Sequence, residues 1–419
     1  MKILIVNTYL QGGGAAVASC RLAQALRRDG LDVTMLSMHR KFPHFYWERF
    51  VIWASNLFSR KHLFAVSIAN AGEDITRLPE FREADIIHLH WINQGFISLD
   101  CLRQILDSGK PVVWTLHDMW PLTAICHHAY TCTAYETHCR NCHFLRHPSA
   151  TDLSAKVFDR KAEVLKGSDM HVVAVSQWLA DKVRHSALLK DKPLCVIPNT
   201  LSTRLFPMLD KAECRRIVGV PDKNILIFGA AKLDDPIKGF GLFVKSLRCL
   251  FRSHPEYWGT VHVLLFGNIK SDKKAFLSSI QVPCTYCGSI ETGNLAQLYS
   301  ASDAVVSSSY YETFGQTLIE AQACGCVAVS WNNSGQADII RHKVNGYLAE
   351  YLSEADLAEG IRWALDEGQK VATREQRRQM TIERFSENVV GQMHVQLYEQ
   401  LIDNKKKNNG CTINQETAP

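Results

Sequence analysis

The densest run of residues able to do chemistry is Ser307–Gly325, SSSYYETFGQTLIEAQACG. An apolar stretch, Ala304–Val306, leads into small polar residues, then Glu312-Thr-Phe-Gly315, then a helix carrying Glu320. The first amides of a helix lack intrahelical partners and sit at the positive end of its dipole, so they can hold a phosphate. Gly315 lets a ligand approach the backbone, and Gln316 and Thr317 supply the amides. Glu312 precedes the helix and Glu320 lies inside it, so the pair can accept hydroxyls at the two ends of a nucleotide sugar. Spacing alone fits equally well a glutamate complementing the helix dipole and a second one that is merely solvated.

A second candidate is His117, which follows the apolar run Pro111–Leu116. Open α/β sheets bind ligands beyond the carboxyl ends of their strands. His117 there reads as an orienting hydrogen-bond donor, with Asp118 fixing its tautomer or meeting an acceptor. His88 and His90 read as residues that line or pack inside the same wall. Gly12-Gly13-Gly14 follows the first apolar run but fails the dinucleotide pattern, because Val17 stands where a small residue is needed and no acidic residue ends Thr34–Met38. Gly13 and Gly14 either bring bare backbone to a phosphate or acceptor, or form a plain tight turn. Cys126, Cys132, Cys139 and Cys142 are spaced C-x5-C-x6-C-x2-C. Four thiolates suit a closed, structural zinc site, with His127, His128, His138 and His143 at hand as substitutes. Two disulfides and free thiols are the rivals. Cys284-x2-Cys287 reads as strand and turn.

These residues must be positioned by a chain of 419 residues, long enough for two or three domains. The N-terminal third opens as strand (Lys2–Asn7), helix (Ala15–Arg28), strand (Leu31–Met35), a βαβ start that argues for a parallel sheet. Further strands are expected at Asp85–Leu89, Pro111–Leu116, His171–Val175 and Leu194–Ile197. A second cycle follows at Asn224–Gly229, Val261–Phe266, Ala304–Ser307 and Val327–Ser330. The expectation is therefore α/β, two doubly wound Rossmann-like domains with a cleft between them, residues 1–200 and 208–385, joined near Pro198–Cys214. Val389, Met393, Leu397 and Leu401 recur every four residues, predicting an amphipathic terminal helix over 386–403 that packs back on the N-terminal domain. Residues 404–419 read as a disordered tail.

Composition narrows the function. With 47 Lys+Arg against 42 Asp+Glu the net charge is only +5, which argues against a charge-driven nucleic-acid binder. At 46% hydrophobic residues the chain can fill two cores and is not a disordered polymer. No apolar run is long enough to span a membrane. The N-terminus reads as lacking a cleavable signal peptide, so a cytoplasmic location with reduced thiols is expected. Residues 42–64 are rich in aromatics, with Trp47, Phe50, Val51, Ala54, Leu57 and Phe58 on one helical stripe. Arg40, Lys41, Arg49, Arg60 and Lys61 flank or punctuate it. The stripe either rests weakly on an anionic membrane surface or packs on the domain.

The pattern E-x-F-G-x-x-x-x-E at Glu312 to Glu320 resembles the glutamate pair of the retaining glycosyltransferases of family 4. The similarity runs along nearly the whole chain, through Gly13-Gly14, Asp85-Ile-Ile-His88-Leu-His90-Trp91, Thr115-Leu-His117-Asp118, Val175-Ser176, Ile197-Pro198-Asn199, Lys238-Gly239, Gly288, Asp303 and Asn345-Gly346. It implies the two-domain GT-B fold, with the donor nucleotide on the C-terminal domain. It assigns Glu312 to the donor sugar, Glu320 to the ribose hydroxyls, and Lys238 to the diphosphate, where a fixed cation stabilises the leaving group. Lys232 occupies the place of the family's second cation, usually an Arg, and His117 that of a histidine beside the donor sugar. Ala16 and Thr200 depart from the family's common Glu and Gly. A subset of the family that serves polysaccharide synthesis carries a similar four-cysteine insert. The implied reaction is retaining transfer, without a catalytic metal, from a UDP- or GDP-linked sugar to a growing polysaccharide or lipid-linked glycan, in the cytoplasm or at the inner face of its membrane. A sugar-nucleotide epimerase and a non-catalytic glycan-binding or scaffold protein are the competing functions; a phosphorylase would need a longer chain.

Overall fold

The computed structural model describes residues 1–38 and 43–413, with backbone only beyond residue 407. Arg40, Lys41 and Phe42 of the aromatic stretch and residues 414–419 of the tail lie outside the described residues. The chain divides into two compact units, residues 1–198 together with the chain from Val390 onward, and Asn199–Val389.

The first unit holds six parallel strands, β1 (Lys2–Val6), β2 (Asp32–Leu36), β3 (Ile86–Leu89), β4 (Val112–Leu116), β5 (His171–Ala174) and β6 (Leu194–Val196), in the order β2-β1-β3-β4-β5-β6. Ile3 lies opposite Val33 on one side and Ile86 on the other. Central strands of such sheets are covered on both faces, which is why β3 and β4 are buried at every position. Strand order reverses between β1 and β3, so the loops beyond their carboxyl ends flank the unit's natural ligand position.

The core of this unit joins Ile3, Ile5, Leu22, Leu26 and Val173 to Val390, Leu397 and Tyr398 of the terminal helix Glu387–Ile413. Two expectations are corrected here. The buried stripe is Val390, His394, Leu397 and Tyr398, whereas Met393 is exposed; a 3.6-residue period alternates steps of three and four rather than repeating four. Residues 404–413 are helical, not a disordered tail. Their sequence has no apolar pattern, but a helix nucleated by packing propagates at little cost.

The aromatic stretch is also corrected. Its helix covers only His44–Ser55 and buries Glu48, Arg49 and Ile52, while Trp47, Phe50, Leu57 and Phe58 are at least half exposed. Glu48 and Arg49 are ion-paired at 2.9 Å with almost no exposure. Glu48 Oε1 accepts from the amides of Ile68 (2.7 Å) and Ala69 (2.9 Å), and Arg49 donates to the carbonyl of Val66 (2.9 Å). A buried ion pair that also finds backbone partners outcompetes the aromatics for the interior. Leu57 and Phe58 leave the helix altogether, with positive φ.

The second unit holds β7 (Asn224–Lys232), β8 (Val261–Asn268), β9 (Cys284–Tyr286), β10 (Ala304–Ser307), β11 (Val327–Trp331) and β12 (Gly346–Ala349), all parallel, in the order β12-β11-β10-β7-β8-β9. Its reversal falls between β7 and β10. Leu226, Val263, Val306, Val329 and Trp331 share one core with Phe243, Leu247 and Ile361. β12 is missing from the expected strands because Gly346-Tyr-Leu-Ala is too short to show a pattern. The presumed linker Pro198–Cys214 ends in structure: Asp210 caps a helix at Lys211–Val218, and Gly219 closes it with φ +74°.

Candidate active site

In the second unit the loops that leave β7 and β10 are knitted together at the point of strand reversal. The amide of Tyr310 donates to the carbonyl of Ile237 at 2.8 Å, and Ser308 Oγ donates to the carbonyl of Gly239 at 2.8 Å. Gly239 has φ +65°, and a Cβ there would collide with the Ser308 carbonyl, so the contact requires glycine. This brings Lys238 Nζ to 2.6 Å from Glu312 Oε1, which also accepts from Ser309 Oγ at 3.0 Å. Both side chains stay partly exposed, at 29% and 22%. The result is a fixed cation and a fixed carboxylate, both still reachable from solvent.

Beside them begins the helix Gln316–Ala323. Gly315 stands before it with φ +122°, and no side chain among the described residues caps it. A Cβ on Gly315 would meet Ile339 and Leu318. The amides of Gln316 and Thr317 thus open the helix without an intrahelical partner, as a phosphate cradle requires. The Gln316 side chain donates to the carbonyl of Thr200 at 3.3 Å, while its Oε1 is buried with no hydrogen-bond partner among the described residues. Glu320 is 5% exposed and accepts from Tyr299 Oη at 3.3 Å. Burial and the Glu320 charge push the Tyr299 hydroxyl pKa well above its ordinary value, so it stays a donor. Lys232 ends β7 half-buried, six residues before Lys238.

Three positioning residues escaped sequence reasoning. Ser334 Oγ accepts from the Glu312 amide at 3.2 Å, and the Gly335 amide donates to the Glu312 carbonyl at 2.8 Å. Gln336 accepts from Ser307 Oγ and donates to the Ser309 carbonyl. Asn333-Ser-Gly-Gln336 has only an unremarkable polar composition to announce it. Asp303, by contrast, is structural, held by the Ile225 amide at 2.7 Å and by Arg215 at 2.9 Å. Asn345 likewise closes a turn onto the Arg341 amide.

In the first unit the helix Gly14–Arg28 also opens uncapped among the described residues, behind Gly12 and Gly13 at φ +78° and +82°. His117, just beyond β4, meets His90 rather than Asp118, Nε2 to Nδ1 at 2.8 Å. Burial pushes its pKa down to about 4, with Asp118 opposing weakly, so it is a neutral imidazole at physiological pH. His88 is fully buried between Tyr398 Oη (2.6 Å) and Thr115 Oγ1 (2.7 Å). Burial and neighbouring imidazoles hold the pKa of His88 and of His90 well below the ordinary value.

Asp118 instead organises a different group. Its Oδ2 accepts from Trp91 Nε1 at 2.6 Å and from His127 Nδ1 at 2.7 Å, and its Oδ1 accepts from the Trp120 amide at 2.9 Å. Burial raises its pKa, but His127, His128 and the Trp120 amide outweigh it and keep the carboxyl below its usual value. His127 Nε2 in turn meets Ser67 Oγ at 3.1 Å.

Cys126, Cys132, Cys139 and Cys142, expected to hold a structural zinc, lie in this unit as two buried and two half-buried thiols. Among the described residues no group of three or more His, Cys, Asp or Glu side chains is placed to hold a metal ion, and all four thiols are free. Burial, reinforced by the neighbouring thiols, pushes Cys126 up to about 12 and Cys139 and Cys142 to about 11.

Two parallel doubly wound sheets, each with one reversal of strand order, define an α/β Rossmann-like class. Two family models match in succession, Glycosyltransferase Family 4 over residues 12–205 and Glycosyl transferases group 1 over residues 210–384. The chain belongs to the family 4 glycosyltransferases and has the GT-B type of fold. It is 21% identical to N-acetyl-alpha-D-glucosaminyl L-malate synthase of Bacillus anthracis, over 97% of this chain and 99% of that one. It is 29% identical to D-inositol 3-phosphate glycosyltransferase of Actinosynnema mirum over 41% and 45% of the two. Sucrose-phosphate synthase from Thermosynechococcus elongatus superposes with TM-score 0.65 at 18% identity, covering 96% and 99%. Anabaena HepE in complex with UDP and glucose superposes with TM-score 0.61 at 17% identity, covering 96% and 100%. No described helix is long and apolar enough to cross a membrane.

Proposed function

We propose that this glycosyltransferase moves a sugar, with retention of anomeric configuration and without a catalytic metal, from a UDP- or GDP-linked donor to a polysaccharide or lipid-linked glycan. The observation that carries this reading is the Lys238–Glu312 pair beside the uncapped helix at the strand reversal of the second unit. Lys238 neutralises charge that develops on the departing diphosphate, with Lys232 as the second cation. A Lys is a point charge without the fork of an Arg, so Lys232 contributes charge more than geometry. Glu312 holds the donor sugar, the amides of Gly315, Gln316 and Thr317 hold phosphate, and Glu320 takes the ribose hydroxyls. In the first unit, neutral His117 orients the sugar and the bare backbone of Gly13 and Gly14 serves the phosphate side. HepE, a similar fold, is described with UDP and glucose, which supports a nucleotide-sugar donor. The exposed aromatics Trp47, Phe50 and Phe58, with Arg60 and Lys61 nearby, suit weak contact with an anionic lipid surface.

A thermal-shift screen of UDP, GDP and their sugars should raise the melting temperature for one nucleotide class only. NMR of the product should show the donor's anomeric configuration, in the presence of EDTA. An inverted product, or no shift with either nucleotide, would overturn the reading.

A further inference from the structure

The Asp118 group faces a cavity that the donor chemistry does not use. It measures about 270 Å³ and lies within the first unit, past the carboxyl ends of β3 and β4. Its walls are the rings of Phe64, Trp91, Tyr130 and Phe144, and its polar members are Asp118 with His127 and His128. His127, His128 and Tyr130 come from the cysteine-rich stretch, and Phe144 directly follows it, so this otherwise unexplained segment builds one side of the cavity.

The chemistry of the walls selects a ligand. Aromatic faces receive the C–H face of a pyranose, an apolar surface rimmed by hydroxyls. An ionised carboxylate has about four acceptor sites, and the described residues take three of those on Asp118, through Trp91, His127 and Trp120. One site on Oδ1 is left for a hydroxyl donor. A carboxylate cannot donate, so the proton between Asp118 and His127 sits on His127 Nδ1, while Nε2 meets Ser67 Oγ at 3.1 Å. No lysine or arginine lines the cavity among the described residues. Lys161 is buried outside the lining, with Nζ donating to the carbonyls of Trp120 (2.6 Å) and Thr123 (3.0 Å). A phosphorylated or carboxylated ring would meet a buried carboxylate here, with no lysine or arginine of the described residues on the walls to offset it.

We propose that this cavity is an acceptor subsite for an uncharged pyranose ring, stacked on Tyr130 and Trp91 with one hydroxyl donated to Asp118. The inference rests on the glycosyl-transfer reading above and names the chemistry of its acceptor. It separates this chain from the two relatives whose names specify malate and inositol 3-phosphate, both anionic.

Saturation-transfer NMR on the full chain tests it, using methyl pyranosides of glucose, galactose, mannose and N-acetylglucosamine, with glucose 6-phosphate and glucuronate as the anionic arm. At least one neutral pyranoside should bind in the millimolar range. Its affinity should fall roughly tenfold in Tyr130→Ala and in Phe64→Ala, two half-exposed positions whose loss leaves the core intact. Both anionic sugars should bind more weakly than the neutral one. Absence of any pyranoside binding, binding unchanged in both variants, or a preference for the anionic rings would overturn the subsite. Thermal shift with UDP and GDP on the same samples keeps the two claims apart. Nucleotide binding without pyranoside binding sinks the subsite alone, whereas no nucleotide binding sinks the donor reading.

Discussion

The two units solve one topological problem with opposite materials. Each has a six-stranded parallel sheet and a point where strand order reverses, and each places its polar side chains there. The second unit builds that point from formal charge and backbone: Lys238 against Glu312, two loops tied through Gly239, and an uncapped helix. The first builds it from neutral imidazoles and rings around one buried carboxylate, Asp118. His88, His90, His117 and His394 are packed ring against ring, His90 stacked on His117 at 5.1 Å and His88 4.3 Å from His90 by ring centroid. The difference teaches what each edge is suited to receive. Fixed cations and open amides fit a diphosphate, which carries charge before and after the bond breaks. Neutral imidazoles and aromatic faces fit rings and hydroxyls, where a formal charge would have to be desolvated without return.

The comparison breaks most sharply at Lys238. Lys238→Ala should lower turnover about a hundredfold or more, read as release of nucleoside diphosphate from UDP- or GDP-sugars. Unchanged turnover would mean that the charged edge of the second unit is structural. Acid should discriminate next. Burial pushes His394 and His117 down to about 4 in the fold, against an unfolded value of about 6.5. Between those values the unfolded chain binds more protons, so stability is full above the unfolded pKa and is lost as pH falls toward 4. His394, which is 3% exposed, accounts for about 3 kcal/mol of this at about 1.4 kcal/mol per pKa unit. Calorimetry should show the transition of the first unit moving down between pH 7 and 4 more than that of the second; equal movement of both would erase the contrast.

Glu320→Ala should weaken nucleotide binding by about 1–3 kcal/mol through loss of buried hydrogen bonds, measured by titration calorimetry. Tyr299→Phe should cost less, since it removes one donor to the same carboxylate. An unaffected affinity in Glu320→Ala would detach the helix from the nucleotide. The smallest effect concerns the cysteines of the first unit. Elemental analysis of protein purified without chelator decides whether they form the structural zinc site that the C-x5-C-x6-C-x2-C spacing predicts: one zinc per chain supports that site, and none, with all four thiols reacting freely, removes it.

Much of this was legible in the residues. Apolar runs at Lys2–Asn7, Pro111–Leu116 and Val261–Phe266 became strands because a strand covered on both faces must be apolar throughout. Gly239 and Gly315 stand where positive φ is needed, and the E-x-F-G-x-x-x-x-E spacing carried both the family and the helix start. What escaped depended on partners far away in the chain. Asp118 looked like the partner of His117 because it is adjacent, yet adjacent residues at a strand end point to different sides, and it pairs with His127. His88 is explained by Thr115 on the neighbouring strand and by Tyr398, 310 residues further on.

The sequence by itself determined the fold class, the family, and the loop that ends in a helix start, because these follow from local periodicity, glycine conformation and short spacing. Tertiary structure alone decided which face of the aromatic helix is buried, since that turned on whether Glu48 and Arg49 found backbone partners. It also decided that Lys238 meets Glu312, two residues 74 positions apart brought together by the reversal of strand order. Periodicity reports how a segment would bury itself; only the packed chain fixes which polar groups find each other, because a buried polar atom's free energy is set by its partner and not by its neighbours in sequence.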